Sequence, residues 1–131
     1  MEKGQDLKLR TKKFAVAVAL FCEQLPTRRA LNVYTNQLLR ASSSVGANYR
    51  AACRAKSQAD FINKLKIVEE ELDESMFFLE LISEFDNSYK QPIEKILTEA
   101  NELLSIIVAS LKTARENYSK SKQKRLVSTH S

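Results

Sequence analysis

Apolar residues recur every three or four positions through most of the chain, a spacing that is typical of amphipathic α-helices. Three such series stand out. They are Phe14, Val18, Phe21 and Leu25; Phe61, Leu65, Val68, Leu72, Met76 and Leu79; and Ile93, Leu97, Ala100, Leu104, Ile107, Leu111 and Ala114. Each series occupies one face of a helix, so we expect these residues to form the core.

Polar breaks between the apolar series divide the chain into four predicted helices. Pro26 ends the first, and Thr27 is predicted to cap the second with its hydroxyl. Ser57 with Asp60 resembles a capping box for the third, and Pro92 suits the first turn of the fourth. The predicted helices cover about residues 7–25, 27–56, 57–85 and 92–118.

Turn residues are scarce, since the chain has only two glycines and two prolines. That scarcity excludes an all-β fold and, with the helical spacing, predicts the all-α class. Short connections between long helices favour an antiparallel up-down-up-down four-helix bundle. We expect residues 1–118 to form this bundle and residues 119–131 to form a basic, disordered tail.

The third predicted helix carries a second apolar face. At 100° per residue, Ile67, Phe78, Leu81 and Phe85 lie opposite the core series. Two interpretations remain open: this rear face mediates self-association, or it is covered by other parts of the same chain.

Charge is distributed unevenly along the sequence. Residues 27–56 carry six Lys or Arg and no acid, whereas residues 57–111 carry four lysines and twelve acids. Both termini are basic, and the net charge is +5. Such asymmetry is typical of a protein with a defined electrostatic surface.

The basic charge of the second helix lies on one side. Arg29, Arg40, Arg50 and Arg54 fall opposite Leu31, Leu38, Val45 and Tyr49 on a helical projection. Arginine suits phosphate because its planar fork donates two hydrogen bonds. The alternative is that Arg50 and Arg54 pair with a structural ion-pair network on the third helix, formed by Glu69, Glu70, Asp73 and Glu74.

Small residues interrupt this basic helix. Ser42, Ser43, Gly46 and Ala47 form two low ridges at a spacing of four. A mid-helix glycine costs about 1 kcal/mol relative to alanine. We therefore expect a close approach by another helix or by a nucleic-acid backbone at Gly46.

The residue types needed for catalysis are missing. The single histidine, His130, cannot complete a di-metal site with the carboxylates or a serine–histidine site with Ser42. We therefore expect no enzyme activity, no metal and no cofactor. Cys22 and Cys53 are too few for a disulfide framework, and the apolar run 14–22 lacks a convincing cleavage site, so we expect a cytoplasmic protein without a membrane span.

One block of sequence is recognisable as a whole. It contains "QLLR", "SVGANYRAACRAKS", "ADFINKL" and "EEELDES" within residues 36–75. The block resembles the four-helix-bundle proteins encoded in intervening sequences of bacterial 23S ribosomal RNA genes, over about residues 10–85. Accessory proteins of diversity-generating retroelements are related bundles. The family motif falls on Arg40, Asn48, Tyr49, Arg50, Arg54, Lys64, Glu69, Glu70, Asp73 and Glu74.

The resemblance implies a bacterial homo-oligomeric ring, a pentamer, with no established catalytic activity. Together with the charge pattern it predicts a nucleic-acid-binding protein, with RNA as the favoured ligand. Arg40, Arg50 and Arg54 are the leading predicted contacts; Arg29, Lys12 and Lys13 are secondary. The alternative is a protein–protein scaffold, such as an accessory protein of a reverse transcriptase.

Overall fold

Helix accounts for nearly all of the described structure. The computed structural model describes the backbone of residues 3–130 and the side chains of residues 7–128, so the imidazole of His130 and all of Ser131 lie outside the described residues. This part of the chain contains four α-helices, one short 3-10 turn at Asn87–Tyr89 and no strand. The helices are α1 (Lys3–Glu23), α2 (Arg29–Cys53), α3 (Gln58–Phe85) and α4 (Lys90–His130). The predicted all-α class is confirmed.

The helix starts confirm one predicted cap and correct another. The Ser57 hydroxyl accepts a hydrogen bond from the Asp60 amide at 3.1 Å, as predicted for the start of α3. The prediction of Thr27 as a cap is wrong, because α2 begins after Arg28, which makes no side-chain capping bond. Arg28 instead lies over the Phe85 ring, 4.7 Å from its centre. A contact between helices therefore accompanies the start of α2 in place of a local cap.

α4 is longer than the sequence predicted. The predicted end lay near Tyr118, where a disordered tail was to begin, but the helix continues to His130. Residues 119–130 contain no glycine or proline and include lysine, glutamine, arginine and leucine, which favour helix. The boundary of the bundle at residue 118 stays a prediction.

Each long helix packs against two others. α2 contacts α1 and α3, and α4 contacts α3 and α1. The predicted core faces meet at the centre, where the fully buried side chains include Phe14, Val18, Leu31, Leu38, Leu65, Leu72, Leu79, Ile93, Ile107 and Leu111. The apolar periodicity therefore identified most of the core, but Leu97 and Leu104 are only half-buried, and Leu103, outside the predicted series, is fully buried.

Gly46 lies at a close contact between α1 and α2. A Cβ atom at Gly46 would lie 3.4 Å from the Thr11 hydroxyl and 3.6 Å from the Thr11 carbonyl carbon and oxygen. Ser42, one turn earlier, is fully buried, whereas Ser43 and Ala47 are exposed. One of the two predicted ridges therefore faces α1, and the other faces outward.

The rear face of α3 is covered only in part. The Tyr34 ring of α2 lies 6.5 Å from Phe78 and 6.0 Å from Phe85, measured between ring centres. Phe78 is half-buried, but Phe85 is 39% exposed. Self-association through this face stays a prediction.

The apolar content of individual helices is limited. None of the described helices is long and apolar enough to cross a membrane.

Cys22 and Cys53 are both free thiols. Burial, with a smaller effect from the charge of Glu23, raises the pKa of the Cys22 thiol to about 11.

Candidate nucleic-acid interface

A groove between α1 and α2 collects basic side chains from both helices. Lys8 and Lys12 come from α1, Arg50 comes from α2, Arg54 directly follows that helix, and Leu9 completes the lining. The groove has a volume of about 330 Å³, and none of the described residues that line it is acidic. We call it the basic groove. It brings together three predicted site residues, Lys12, Arg50 and Arg54.

Lys8 is a member of the basic groove that the sequence analysis missed. It lies four residues before Lys12, so both side chains project from one face of α1. That spacing was a usable signal. What the sequence could not give is the pairing of this face with the end of α2.

The cations of the basic groove make no ion pair with any of the described acidic side chains. Among the described side chains, the ion pairs shorter than 4.0 Å join Arg10 to Glu99 and Glu102, Arg28 to Asp86, and Lys66 to Glu69. The four cations of the basic groove take part in none of them. Four positive charges brought together by two helices favour binding of an anion that contacts several of them at once.

The other predicted basic residues lie outside the basic groove. Arg29 is the first residue of α2, 21 residues before Arg50, which corresponds to about 31 Å along the helix. Arg40 is exposed midway along α2. Lys13 lines a different groove, between α1 and α4, with Phe14 and Ile96. The six predicted contacts therefore do not form one compact site.

The outward face of α2 is low between its arginines. Ser43 and Ala47 are exposed there, on the same side of the helix as Arg40 and Arg50. Small side chains leave room for an extended molecule to lie along the helix. A polymer in the basic groove could therefore continue towards Arg40 without a steric barrier from these residues.

The acidic residues of α3 have few partners among the described side chains. Glu69 accepts a hydrogen bond from Lys66 at 3.2 Å. Glu70, Asp73 and Glu74 make no ion pair shorter than 4.0 Å with a described residue. The predicted network between these acids and Arg50 or Arg54 is therefore not formed by the described side chains of one chain. Pairing across a subunit boundary stays a prediction.

Arg40 acts electrostatically on a carboxyl group of α3. Burial raises the pKa of Glu71 above its ordinary value, and the charges of Glu74 and Glu70 raise it further, while Arg40 lowers it. The charge of Arg40 therefore partly offsets the effect of burial and of the neighbouring carboxylates on the pKa of Glu71. A raised pKa means that ionised Glu71 is less favourable in the folded protein than in the unfolded chain.

Glu71→Gln is expected to increase the free energy of unfolding at neutral pH. Because the folded pKa is raised, the native protein loses stability as the pH rises from the unfolded pKa through the folded pKa, and the glutamine variant escapes that loss. At a pH below both values the variant and the parent should be equally stable. Urea unfolding at several pH values measures the effect.

Arg40→Gln tests the effect of Arg40 on this titration, because the substitution should raise the pKa of Glu71 further. NMR titration of the Glu71 carboxyl carbon reports that pKa directly. An unchanged pKa would mean that Arg40 does not act on this group.

Arg10 joins α1 to α4 through contacts that no pattern in the sequence predicted. Its guanidinium donates hydrogen bonds to Glu99 at 2.7 and 3.3 Å and lies 3.0 Å from a Glu102 oxygen. These contacts raise the pKa of Arg10, chiefly through the hydrogen bond to Glu99. The Arg10 side chain is 21% exposed. The contact fixes α1, the helix that carries Lys8 and Lys12.

The fold has a counterpart among solved structures. A crystal structure of a protein of unknown function from the S23 ribosomal protein family of Bacteroides thetaiotaomicron is similar, with a TM-score of 0.78 and 32% sequence identity. The similarity covers 85% of this chain and 99% of that chain. No curated protein matches the sequence at a significant level.

The family match contains every residue of the basic groove. Residues 5–109 match the model of the 23S rRNA-intervening sequence protein. This range contains the whole block that suggested the resemblance and extends beyond it at both ends. The chain is therefore a member of the 23S rRNA-intervening sequence protein family.

Proposed function

We propose that this protein is a non-enzymatic, oligomeric nucleic-acid-binding protein whose ligand is RNA. The observation that carries the proposal is the basic groove, in which Lys8, Lys12, Arg50 and Arg54 meet and the described lining residues include no acid. No pair of nucleophile and base was found in the sequence, so binding is the chemistry that the residues support.

The basic groove suits a phosphate backbone. Arg50 and Arg54 can each donate two parallel hydrogen bonds to phosphate oxygens, and Lys8 and Lys12 add compact charges from the opposite wall. Such contacts give affinity without reading sequence. Binding should weaken as salt rises, because counterions are released from the phosphates. RNA as the ligand is taken from the resemblance to the family, because the chemistry of the basic groove suits any phosphate backbone.

Removing the basic groove should weaken RNA binding more than removing equal charge elsewhere on α2. In the pair variant Arg50→Gln/Arg54→Gln, we expect the affinity for a fluorescein-labelled RNA to fall by about tenfold and the salt slope by about 2. The control pair, Arg29→Gln/Arg40→Gln, removes the same charge from the same outward side of the same helix. Fluorescence anisotropy at several salt concentrations measures both.

The two pairs separate the possible interfaces. Equal losses would mean that the whole outward face of α2 binds RNA and that the basic groove has no special role. Loss only in the Arg29 and Arg40 pair would place the interface elsewhere. Salt-independent binding, or none by the parent protein, would contradict the proposed function.

We also propose that the four helices alternate in direction and that the chains assemble as a homo-oligomeric ring, a pentamer by resemblance to the family. Short connections and contacts such as Thr11 with Gly46 support the alternation. An apolar stripe on α1 supports assembly: Leu9, Val16 and Leu20 are 42%, 52% and 61% exposed and fall within about 40° on a helical projection.

A protein–protein scaffold is the second candidate function, with a reverse transcriptase as one possible partner. An aromatic cluster favours it, because Tyr34, Phe77, Phe78 and Phe85 are linked by ring contacts of 5.3–6.5 Å and two of the four rings are exposed. Exposed aromatic side chains are enriched at protein interfaces. A parent protein that fails to bind RNA would leave this candidate as the better one.

A further inference from the structure

The end of α4 projects beyond the rest of the bundle. Leu111 is the last fully buried side chain of the helix, and every side chain from Lys122 to Ser128 is exposed. Asn117 shares a groove with Phe61, which lies in the first turn of α3. The 13 residues from Tyr118 to His130 therefore extend about 20 Å beyond the level of Phe61.

This projection leaves the bundle at the end that carries the basic groove. Phe61 lines one surface together with Cys53 and Lys56, which lie on either side of Arg54 in the sequence. Arg54 lines the basic groove. Asn117 therefore lies at the same end of the bundle as the end of α2 and the basic groove, because Phe61 lies next to both.

The projecting segment is basic on several sides. Lys120, Lys122, Lys124 and Arg125 are exposed, and residues 119–128 contain no acid. At 100° per residue, Lys122 lies about 200° from Lys120, and Arg125 lies about 140° from Lys120. A helix without a single apolar face gains little from packing on its own bundle. The positive charge of the projecting segment instead favours binding of a polyanion.

The projecting segment lies outside the part of the chain that matches the family. The family match ends at residue 109, before Tyr118. The match therefore assigns this segment no role.

The end of the bundle that carries the basic groove has no exposed aromatic side chain among the described residues. Among the described residues, the exposed aromatic side chains are Phe77 and Phe85, both in the second half of α3. Phe61 and Tyr118, at the basic end, are half-buried. Proteins that bind single strands use exposed aromatic rings to stack on unpaired bases, whereas double-helical RNA is recognised through its backbone and shape.

We propose that the basic groove and the projecting end of α4 form one phosphate-binding surface for double-helical RNA. The groove holds one stretch of backbone, and the projecting helix contacts a neighbouring stretch through Lys120 and Lys124, which lie within about 40° of each other on the helix. The proposal takes its ligand, RNA, from the proposed function and adds both the second contact and the double-helical form.

The test uses the full-length variant Lys120→Gln/Lys124→Gln. Its control, Lys90→Gln/Lys95→Gln, removes two exposed lysines from the other end of the same helix. Anisotropy titrations use a fluorescein-labelled RNA hairpin and a single-stranded RNA of the same length. We expect the salt slope for the hairpin to fall by about 2 in the test variant, with about a tenfold loss of affinity at low salt, and by less than about 1 in the control. The parent should bind the hairpin more tightly than the single strand.

Each contrary result has a distinct meaning. If the test and control variants behave alike while the Arg50 and Arg54 pair loses affinity, the projecting helix is not a contact, and the proposed function stands. Tighter binding of the single strand by the parent would overturn the double-helical form. If the parent binds neither probe, the proposed function itself fails. Circular dichroism and light scattering verify that each variant keeps its helix content and assembly.

Discussion

Replacing Phe14 with alanine is expected to lower the free energy of unfolding by about 3–5 kcal/mol, because the phenyl ring is removed from the core and the space is only partly refilled. Phe14 is 2% exposed and belongs to the core cluster that joins all four helices. The loss is a large part of the total stability of a typical small domain, about 5–15 kcal/mol. The midpoint of thermal unfolding should fall by about 10–20 °C.

Val16→Ala is the matched control for Phe14→Ala. Val16 lies on the same helix but is 52% exposed, so its truncation should change the free energy of unfolding by no more than about 0.5 kcal/mol. Urea unfolding followed by circular dichroism measures both variants at one protein concentration, because assembly would make stability concentration-dependent. Equal effects of the two substitutions would contradict the placement of Phe14 in the core.

The expected loss at Phe14 also concerns the candidate interface. Lys8 and Lys12 are held against α2 only while α1 is docked, and Phe14 anchors α1 in the core. At a temperature where Phe14→Ala remains folded, its RNA affinity should be close to that of the parent. A loss of binding should appear only as the variant unfolds.

The core could be predicted from the sequence because burial follows a simple period. Phe14, Val18 and Phe21 recur at helical spacing and are buried, as are Leu65 and Leu72. Local chemistry was less dependable. The predicted bond at Ser57 forms, but Thr27 does not cap α2, because the contact of Arg28 with Phe85 involves residues distant in sequence.

The candidate site was only partly accessible to the same reasoning. The helical projection identified Arg50 and Arg54 correctly as exposed on one side of α2, but a projection of one helix contains nothing about its neighbours. Whether Lys12 or Lys13 joins those arginines depends on how α1 is rotated against α2. The structure selects Lys12 and adds Lys8. The extent of α4 was missed because polar, basic composition was interpreted as disorder, although most of its residues favour helix.

Two substitutions of Gly46 should have opposite effects on stability. Gly46→Ala is expected to raise the free energy of unfolding by about 0.5–1 kcal/mol, because alanine is the better helix former and the new Cβ lies at ordinary contact distance from Thr11. Gly46→Leu is expected to lower it by about 2–3 kcal/mol, because the larger side chain must push α1 away from α2. Urea unfolding distinguishes the two.

The leucine variant should also weaken RNA binding while it remains folded. Displacing α1 separates Lys8 and Lys12 from Arg50 and Arg54, so the basic groove widens. Ala47→Leu is the matched control, because it places the same side chain on the next, exposed position of α2 and should leave stability within about 0.5 kcal/mol of the parent. If Gly46→Leu were as stable as Ala47→Leu, α1 would not approach α2 this closely. The glycine would then have to be explained by the outward face of α2 rather than by the contact that aligns the two walls of the basic groove.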